Sequence, residues 1–274
     1  MDINTVTSVA RPRAREELAQ FLPGDAWLAG GTWLFSEPQP GVSRLVDLAG
    51  MGWAPLRADE NGLTIAATCT IAELYAFEPP PSWTAAPLFA ECCRAFLASF
   101  KIWNMATVGG NLCMALPAGP MISLCAALDG VCTIWTPAGD ARRMRVADFI
   151  TGAQATALLP GEVLRSIELP AEALRRRAAF RRASLTPLGR SGALLIGTAK
   201  RDGAFQLTVT ASTRRPVQLD FAAPPTRSEL RARLDQAIPA RLYYDDIHGR
   251  PDWRAHMTRL LAQEILEELS EARG

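Results

Sequence analysis

The spacing of apolar and polar residues changes several times along the chain, and each change predicts an element. Residues 13–22 mix Leu18, Phe21 and Leu22 with arginine and glutamate just after Pro12, which predicts a short amphipathic helix stopped by Pro23-Gly24-Asp25. Ala26-Trp27-Leu28 and Arg44-Leu45-Val46-Asp47-Leu48 are apolar runs of strand length, and Leu63 to Ala67 reads as a strand after an Asn61-Gly62 turn. Ile71 to Phe77 and Thr84 to Phe100 read as helices separated by Pro79-Pro80-Pro81, and Met121 to Leu128 as an apolar helix. Val131 to Trp135 and Val163 to Leu169 are further strands, and Pro170 ends this block.

The texture then shifts. Ala171 to Arg182 is rich in arginine, expected as a solvated face or else a contact for an acidic partner or a phosphate. Ala193 to Lys200 and Gln206 to Ser212 are predicted strands. The second sets Leu207, Val209 and Ala211 against Gln206, Thr208, Thr210 and Ser212, as in an antiparallel sheet covered on one side. Ser228 to Ala237 and Asp252 to Ala272 read as helices, the last with a stripe of Trp253, Met257, Leu260, Leu261, Ile265 and Leu269 to pack on that sheet. A domain boundary is expected near residue 172.

Two glycine pairs interrupt the pattern: Ala29-Gly30-Gly31-Thr32 and Ala106-Thr107-Val108-Gly109-Gly110-Asn111. Neither suits a helix interior, where each glycine costs about 1 kcal/mol relative to alanine. Such turns permit positive φ, and their consecutive amides form concave anion nests. One Gly-Gly alone is usually an ordinary turn. Two, each after an apolar run and each edged by a hydroxyl (Thr32, Thr107), suit a ligand with two linked phosphates.

At 274 residues, two or three compact units are expected, and a net charge of +1 gives no reason to expect nucleic acid or an anionic membrane as partner. Met1-Asp2-Ile3-Asn4 has no signal-peptide character and no apolar run reaches membrane-span length, so a soluble cytoplasmic protein is expected. The six cysteines show no C-x-x-C or metal spacing and are expected to be buried thiols. Only His248 and His256 are present, which argues against histidine acid–base chemistry. G-x-G-x-x-G and G-x-x-x-x-G-K-[ST] are absent, which sets aside Rossmann and P-loop readings.

Leu28-Ala29-Gly30-Gly31-Thr32, then Asn104 to Leu112, then Tyr244-Asp245-Asp246-Ile247-His248-Gly249-Arg250-Pro251-Asp252-Trp253-Arg254-Ala255-His256 occur in order. Together they resemble the FAD-binding medium subunit of the molybdenum hydroxylases, which include xanthine dehydrogenase, aldehyde oxidoreductase and carbon monoxide dehydrogenase. The resemblance implies an α+β fold. A vanillyl-alcohol-oxidase-type (PCMH-like) FAD-binding domain would occupy 1–172, in subdomains of about 1–55 and 56–172. A C-terminal antiparallel sheet packed with helices would occupy 173–274.

The resemblance also implies FAD as cofactor, its pyrophosphate held by both glycine turns. By motif position the contacts fall on Leu28, Ala29, Gly30, Gly31, Thr32 and Trp33, then on Leu97, and then on Ala106, Thr107, Gly109, Gly110 and Asn111. The family's leucine beside the flavin falls on Leu164, and its basic residue on Arg181. The residues by themselves read as core at Leu164 and surface at Arg181. The implied role is electron transfer: from a large molybdopterin-binding subunit, across the [2Fe–2S] clusters of a small subunit, to FAD here and on to NAD, a quinone or oxygen. A dimer of heterotrimers is the implied assembly.

The chain departs from the family's usual pattern at Trp33, where a small polar residue is common, at Trp103, where arginine is usual, and at Pro120, where a carboxylate commonly accepts hydrogen bonds from the cofactor's hydroxyls. These departures motivate a second reading, a scaffold subunit with a degenerate FAD site. A third is a free-standing flavin oxidoreductase.

Overall fold

A computed structural model describes the chain from residue 3 to residue 271. Ala272, the expected end of the last helix, lies outside the described residues, as do Met1 and Asp2 of the opening segment.

The chain begins with strands β1 (Ser8–Ala10), β2 (Asp25–Leu28) and β3 (Arg44–Asp47), which form a parallel sheet in the order β1-β3-β2. The Arg44 guanidinium donates to the Asp25 carboxylate at 2.8 Å (Nε to Oδ1) and pins the start of β2 to the start of β3. The helix expected over 13–22 is a shorter 3-10 segment, Arg15–Gln20, with only Leu18 buried.

A five-stranded antiparallel sheet follows. Its members are β4 (Leu56–Asp59), β5 (Gly62–Ala66), β6 (Val131–Trp135) and β7 (Ala141–Arg145), joined after a small hairpin of β8 (Ile150–Gly152) and β9 (Ala155–Thr156) by β10 (Val163–Pro170). The order β4-β5-β10-β6-β7 makes β10 the central strand, and a register shift between Leu164 and Ser166 puts a bulge there.

Helices α1 (Ile71–Tyr75), α2 (Pro87–Ala95), α3 (Phe100–Trp103), α4 (Val108–Met114), α5 (Pro120–Ala127), α6 (Val146–Phe149) and α7 (Ala171–Leu174) accompany this sheet. The single helix expected over 84–100 is therefore broken. After α2 the backbone reaches φ +50° at Leu97, which no helix tolerates, and α3 starts afresh at Phe100. Every residue of α5 is buried, as befits a helix apolar on all sides.

The third sheet is an antiparallel meander of β11 (Arg177–Ala183), β12 (Ala193–Ala199), β13 (Phe205–Thr210) and β14 (Val217–Phe221), in that order. Helices α8 (Arg227–Ala237) and α9 (Pro251–Glu271) lie on one face, where Leu261, Ile265 and Leu269 meet Leu195, Leu207 and Val209. Leu260, expected in that stripe, is 43% exposed. The other face is not open, contrary to expectation. There α5 packs on β12 and β13, and the polar side is satisfied rather than solvated: Thr210 Oγ1 lies 2.6 Å from Ser123 Oγ and donates to Leu194 O at 3.0 Å.

The arginine-rich stretch is not a solvated face either. Arg176 is 5% exposed and pairs with Asp129 at 2.6 Å, Arg177 donates to Leu269 O at 2.6 Å, and Arg181 pairs with Glu264 at 3.0 Å and Glu268 at 2.8 Å. In the C-terminal motif, Arg254 is 1% exposed and donates to Gly249 O, Gly192 O, Ala211 O and the Asp246 carboxylate, so it joins the ends of β12 and β13 to α9. Five cysteines are buried, but Cys113 is exposed. Among the described residues no helix is long and apolar enough to cross a membrane, and no His/Cys/Asp/Glu group could hold a metal ion.

Candidate functional site

The first glycine turn leaves the end of β2. Gly31 has φ +68°, which favours glycine. Gly30 is required for a different reason: a Cβ there would lie 1.8 Å from Met105 O, so the first turn sits directly on the backbone that enters the second. The amides of Gly30, Gly31, Thr32, Trp33 and Leu34 meet no acceptor among the described residues, whereas Phe35 and Ser36 donate back to Gly31 O and Trp33 O. A run of free amides around a positive-φ glycine is an anion nest.

The second pair is built otherwise. Gly109 and Gly110 lie in the first turn of α4, with φ in the ordinary range, so they are not a second nest. Thr107 caps the helix and accepts from Gly110 N at 3.0 Å. Val108 N donates to Cys69 O at 2.8 Å, Gly109 N to Ala67 O at 3.0 Å and Asn111 N to Thr107 O at 3.0 Å. All the first-turn donors are therefore taken. A Cβ on Gly109 would strike Ala67 at 2.5 Å, while one on Gly110 would meet only Thr107 Oγ1, at 2.8 Å. Asn111 Oδ1 accepts from Met121 N at 3.1 Å and ties α4 to the first turn of α5.

Between these segments lies a cavity of about 650 Å³, within the range of about 300–1,000 Å³ usual for ligand sites. One wall is residues 27–34 and another is residues 95–98 with Ile102; residues 106–114 and 118–120 bring α4 and the start of α5. Leu158, Val163 and Leu164 lead into and along β10, and Leu188 and Arg190 come from the loop between β11 and β12. Leu28, Ala29, Gly30, Gly31, Thr32, Trp33, Leu97, Ala106, Thr107, Gly109, Gly110, Asn111 and Leu164 all line this one space.

Arg181 does not. Strand alternation turns Phe180 toward the core beneath α5 and Arg181 toward α9, where two glutamates hold it. Of the three departures from the expected pattern, Trp33 and Pro120 stand in the cavity wall. Trp103 instead packs edge-on against Tyr75, with ring centroids 5.0 Å apart. Leu188 and Arg190 escape a reading by periodicity, because a loop has none.

The position of Leu164 is fixed by charge next door. Glu162, 4% exposed, accepts from Arg142 at 2.8 and 2.6 Å and from Leu159 N at 2.8 Å, while its carbonyl accepts from Trp27 Nε1 at 2.9 Å. The Arg142 hydrogen bonds hold the Glu162 carboxyl below the ordinary carboxylate range against the opposing effect of burial. The start of β10 is thereby locked to β7 and β2. The cavity has apolar walls, free amides and one cation, and it lacks a carboxylate among the described residues. That lining fits a cofactor with a large apolar ring system and linked phosphates, but gives its sugar hydroxyls no carboxylate acceptor.

The family model described as the FAD binding domain in molybdopterin dehydrogenase matches residues 5–172. No curated protein matches the chain. Quinoline 2-oxidoreductase from Pseudomonas putida 86 has a similar structure, with TM-score 0.77 and 22% identity over 99% of both chains. Carbon monoxide dehydrogenase from Hydrogenophaga pseudoflava gives TM-score 0.81 and 20% identity over 96% of both chains, and reconstituted CO dehydrogenase from Oligotropha carboxidovorans gives 0.76 and 21% over 95% of both. At these identities the likeness establishes the fold along nearly the whole chain.

Proposed function

The chain belongs to the FAD-binding family of the molybdopterin dehydrogenases, and from that premise we propose that it is the electron-transfer flavoprotein subunit of a molybdenum hydroxylase complex. The observation that carries this reading is the single cavity, which joins the free amides of residues 30–34 to apolar walls from four parts of the chain. When bound, FAD supplies the redox chemistry. The chain's own residues bind and orient it: amides 30–34 donate to anionic oxygens, and Leu97, Ile102, Leu158, Val163 and Leu164 keep water from the ring.

No histidine, aspartate or glutamate lines the cavity among the described residues. A site without a histidine or carboxylate suits a carrier of electrons better than a free-standing oxidoreductase acting on its own organic substrate. In this proposal electrons arrive from a small [2Fe–2S] subunit, which receives them from a large molybdopterin-binding subunit, in a dimer of heterotrimers. The FAD-binding unit is taken to end near residue 172. Six free cysteines suit a reducing, cytoplasmic setting.

A scaffold with a degenerate site is the second reading, favoured by Trp33 and Pro120 in the cavity wall. Losing one hydrogen bond to a sugar hydroxyl costs about 1 kcal/mol, which weakens a cofactor without abolishing its site. The visible spectrum of the purified chain, before and after incubation with FAD, decides between them. Bound flavin absorption is expected; a colourless protein after incubation refutes the electron-carrier reading in favour of the scaffold.

A further inference from the structure

The cavity is electrostatically one-sided. Arg190 is the only charged side chain that lines it among the described residues, and its guanidinium has no ion pair, hydrogen bond or ring partner there. The free amides of residues 30–34 line the same space. Donors without acceptors and an exposed cation without a counter-charge border one volume, an arrangement that suits an anion.

The loop that carries Arg190 is held in place on both sides of it. The Arg182 guanidinium donates to Ser191 Oγ at 3.1 Å, Ser184 Oγ at 3.3 Å and Gly189 O at 2.6 Å, and so grips the residue on each side of Arg190. Gly189 N closes a turn on Thr186 O at 2.9 Å, and Gly192 N donates to Ala183 O at 2.8 Å. Arg182 is consumed in shaping the loop and Arg181 is consumed by Glu264 and Glu268. Of these three arginines, only Arg190 is left with its charge unspent.

We propose that Arg190 is the counter-charge for the linked phosphates of the cofactor, supplied to the cavity from the third sheet in place of Arg181. The inference rests on the FAD reading above. The phosphates are the target because they carry the permanent negative charge of oxidised FAD, whose ring system is neutral. They also need a partner beyond the nest, since the donors of the α4 first turn are already engaged.

FAD titration of the full chain at low and high salt, followed by flavin fluorescence, tests this. Arg190→Met is expected to bind FAD about tenfold more weakly at low salt, with the gap closing at high salt. Arg190→Lys should recover most of the affinity, and Arg181→Met should bind as the wild type does. The Arg190 variants are expected to melt with the wild type, because the side chain has no partner in the fold. Equal affinity of wild type and Arg190→Met at low salt, or a loss of the same size at high salt, overturns the inference and leaves the FAD reading intact. A wild type that takes up no FAD overturns both.

Discussion

Gly109 and Gly110 are adjacent in sequence and opposite in what they are for. A methyl group on Gly109 would press into Ala67 backbone and side chain at 2.5–2.6 Å, a clash with the buried turn that follows β5. Gly109→Ala is expected to cost about 3 kcal/mol, read as a lower melting temperature of the cofactor-free chain. The Cβ of Gly110→Val meets only the capping hydroxyl of Thr107, so the expected cost to the fold is about 1 kcal/mol. Its branch enters the cavity instead, and FAD occupancy is expected to fall more than about tenfold. A valine variant that keeps full occupancy refutes the placement of Gly110 at the cofactor.

At this scale the sequence was legible in part. Both glycine pairs line the cavity, but Gly30 and Gly109 also serve close packing between segments, a contact that no single stretch of sequence displays. Arg181 lies outside the cavity for a related reason. Arg181 and Arg190 look alike in the chain, and only the glutamates of α9 distinguish the spent charge from the free one.

Among the elements, the break between α2 and α3 forms one wall of the cavity. Leu97 holds φ +50°, is 38% exposed and lines the cavity. An L-residue in this region pays about 1 kcal/mol or more that glycine does not. Leu97→Gly is therefore expected to raise the stability of the cofactor-free chain by about 1 kcal/mol while weakening FAD binding through the lost apolar wall. A melting temperature that falls would show that the leucine side chain contributes more to packing than its backbone costs. Apolar alternation announced β5, β6, β10, β12 and β13. It did not announce β7, on which it is silent, or β11, whose arginines read as a solvated face. Arg142 and Arg143 instead find Glu162 and Glu168, and Arg181 finds α9. The buried polar face of β13 was hidden likewise, because Thr210 is satisfied by Ser123 of a helix far away in sequence.

Across the whole molecule, the hold on β10 predicts a response to acid. Glu162 is depressed in the folded protein, so the unfolded chain takes up the proton first as the pH falls. The stabilisation from the Glu162–Arg142 pair is thus complete above the ordinary glutamate pKa of about 4.3 and drains away below it. Urea midpoints measured from pH 7 down to pH 3 should fall more steeply for the wild type than for Glu162→Gln, which starts lower. Parallel curves would remove this pair from the account of acid stability.

The cavity also has an order in time. Its free amides lie near residue 30, its helix wall near residue 110 and its leucine at 164, but its only charge among the described residues sits at residue 190 on a loop framed by β11 and β12. At about 5–20 residues per second, a ribosome delivers the nest roughly 10–30 s before the arginine. If Arg190 holds the phosphates as proposed, full loading waits until β11 and β12 have framed its loop.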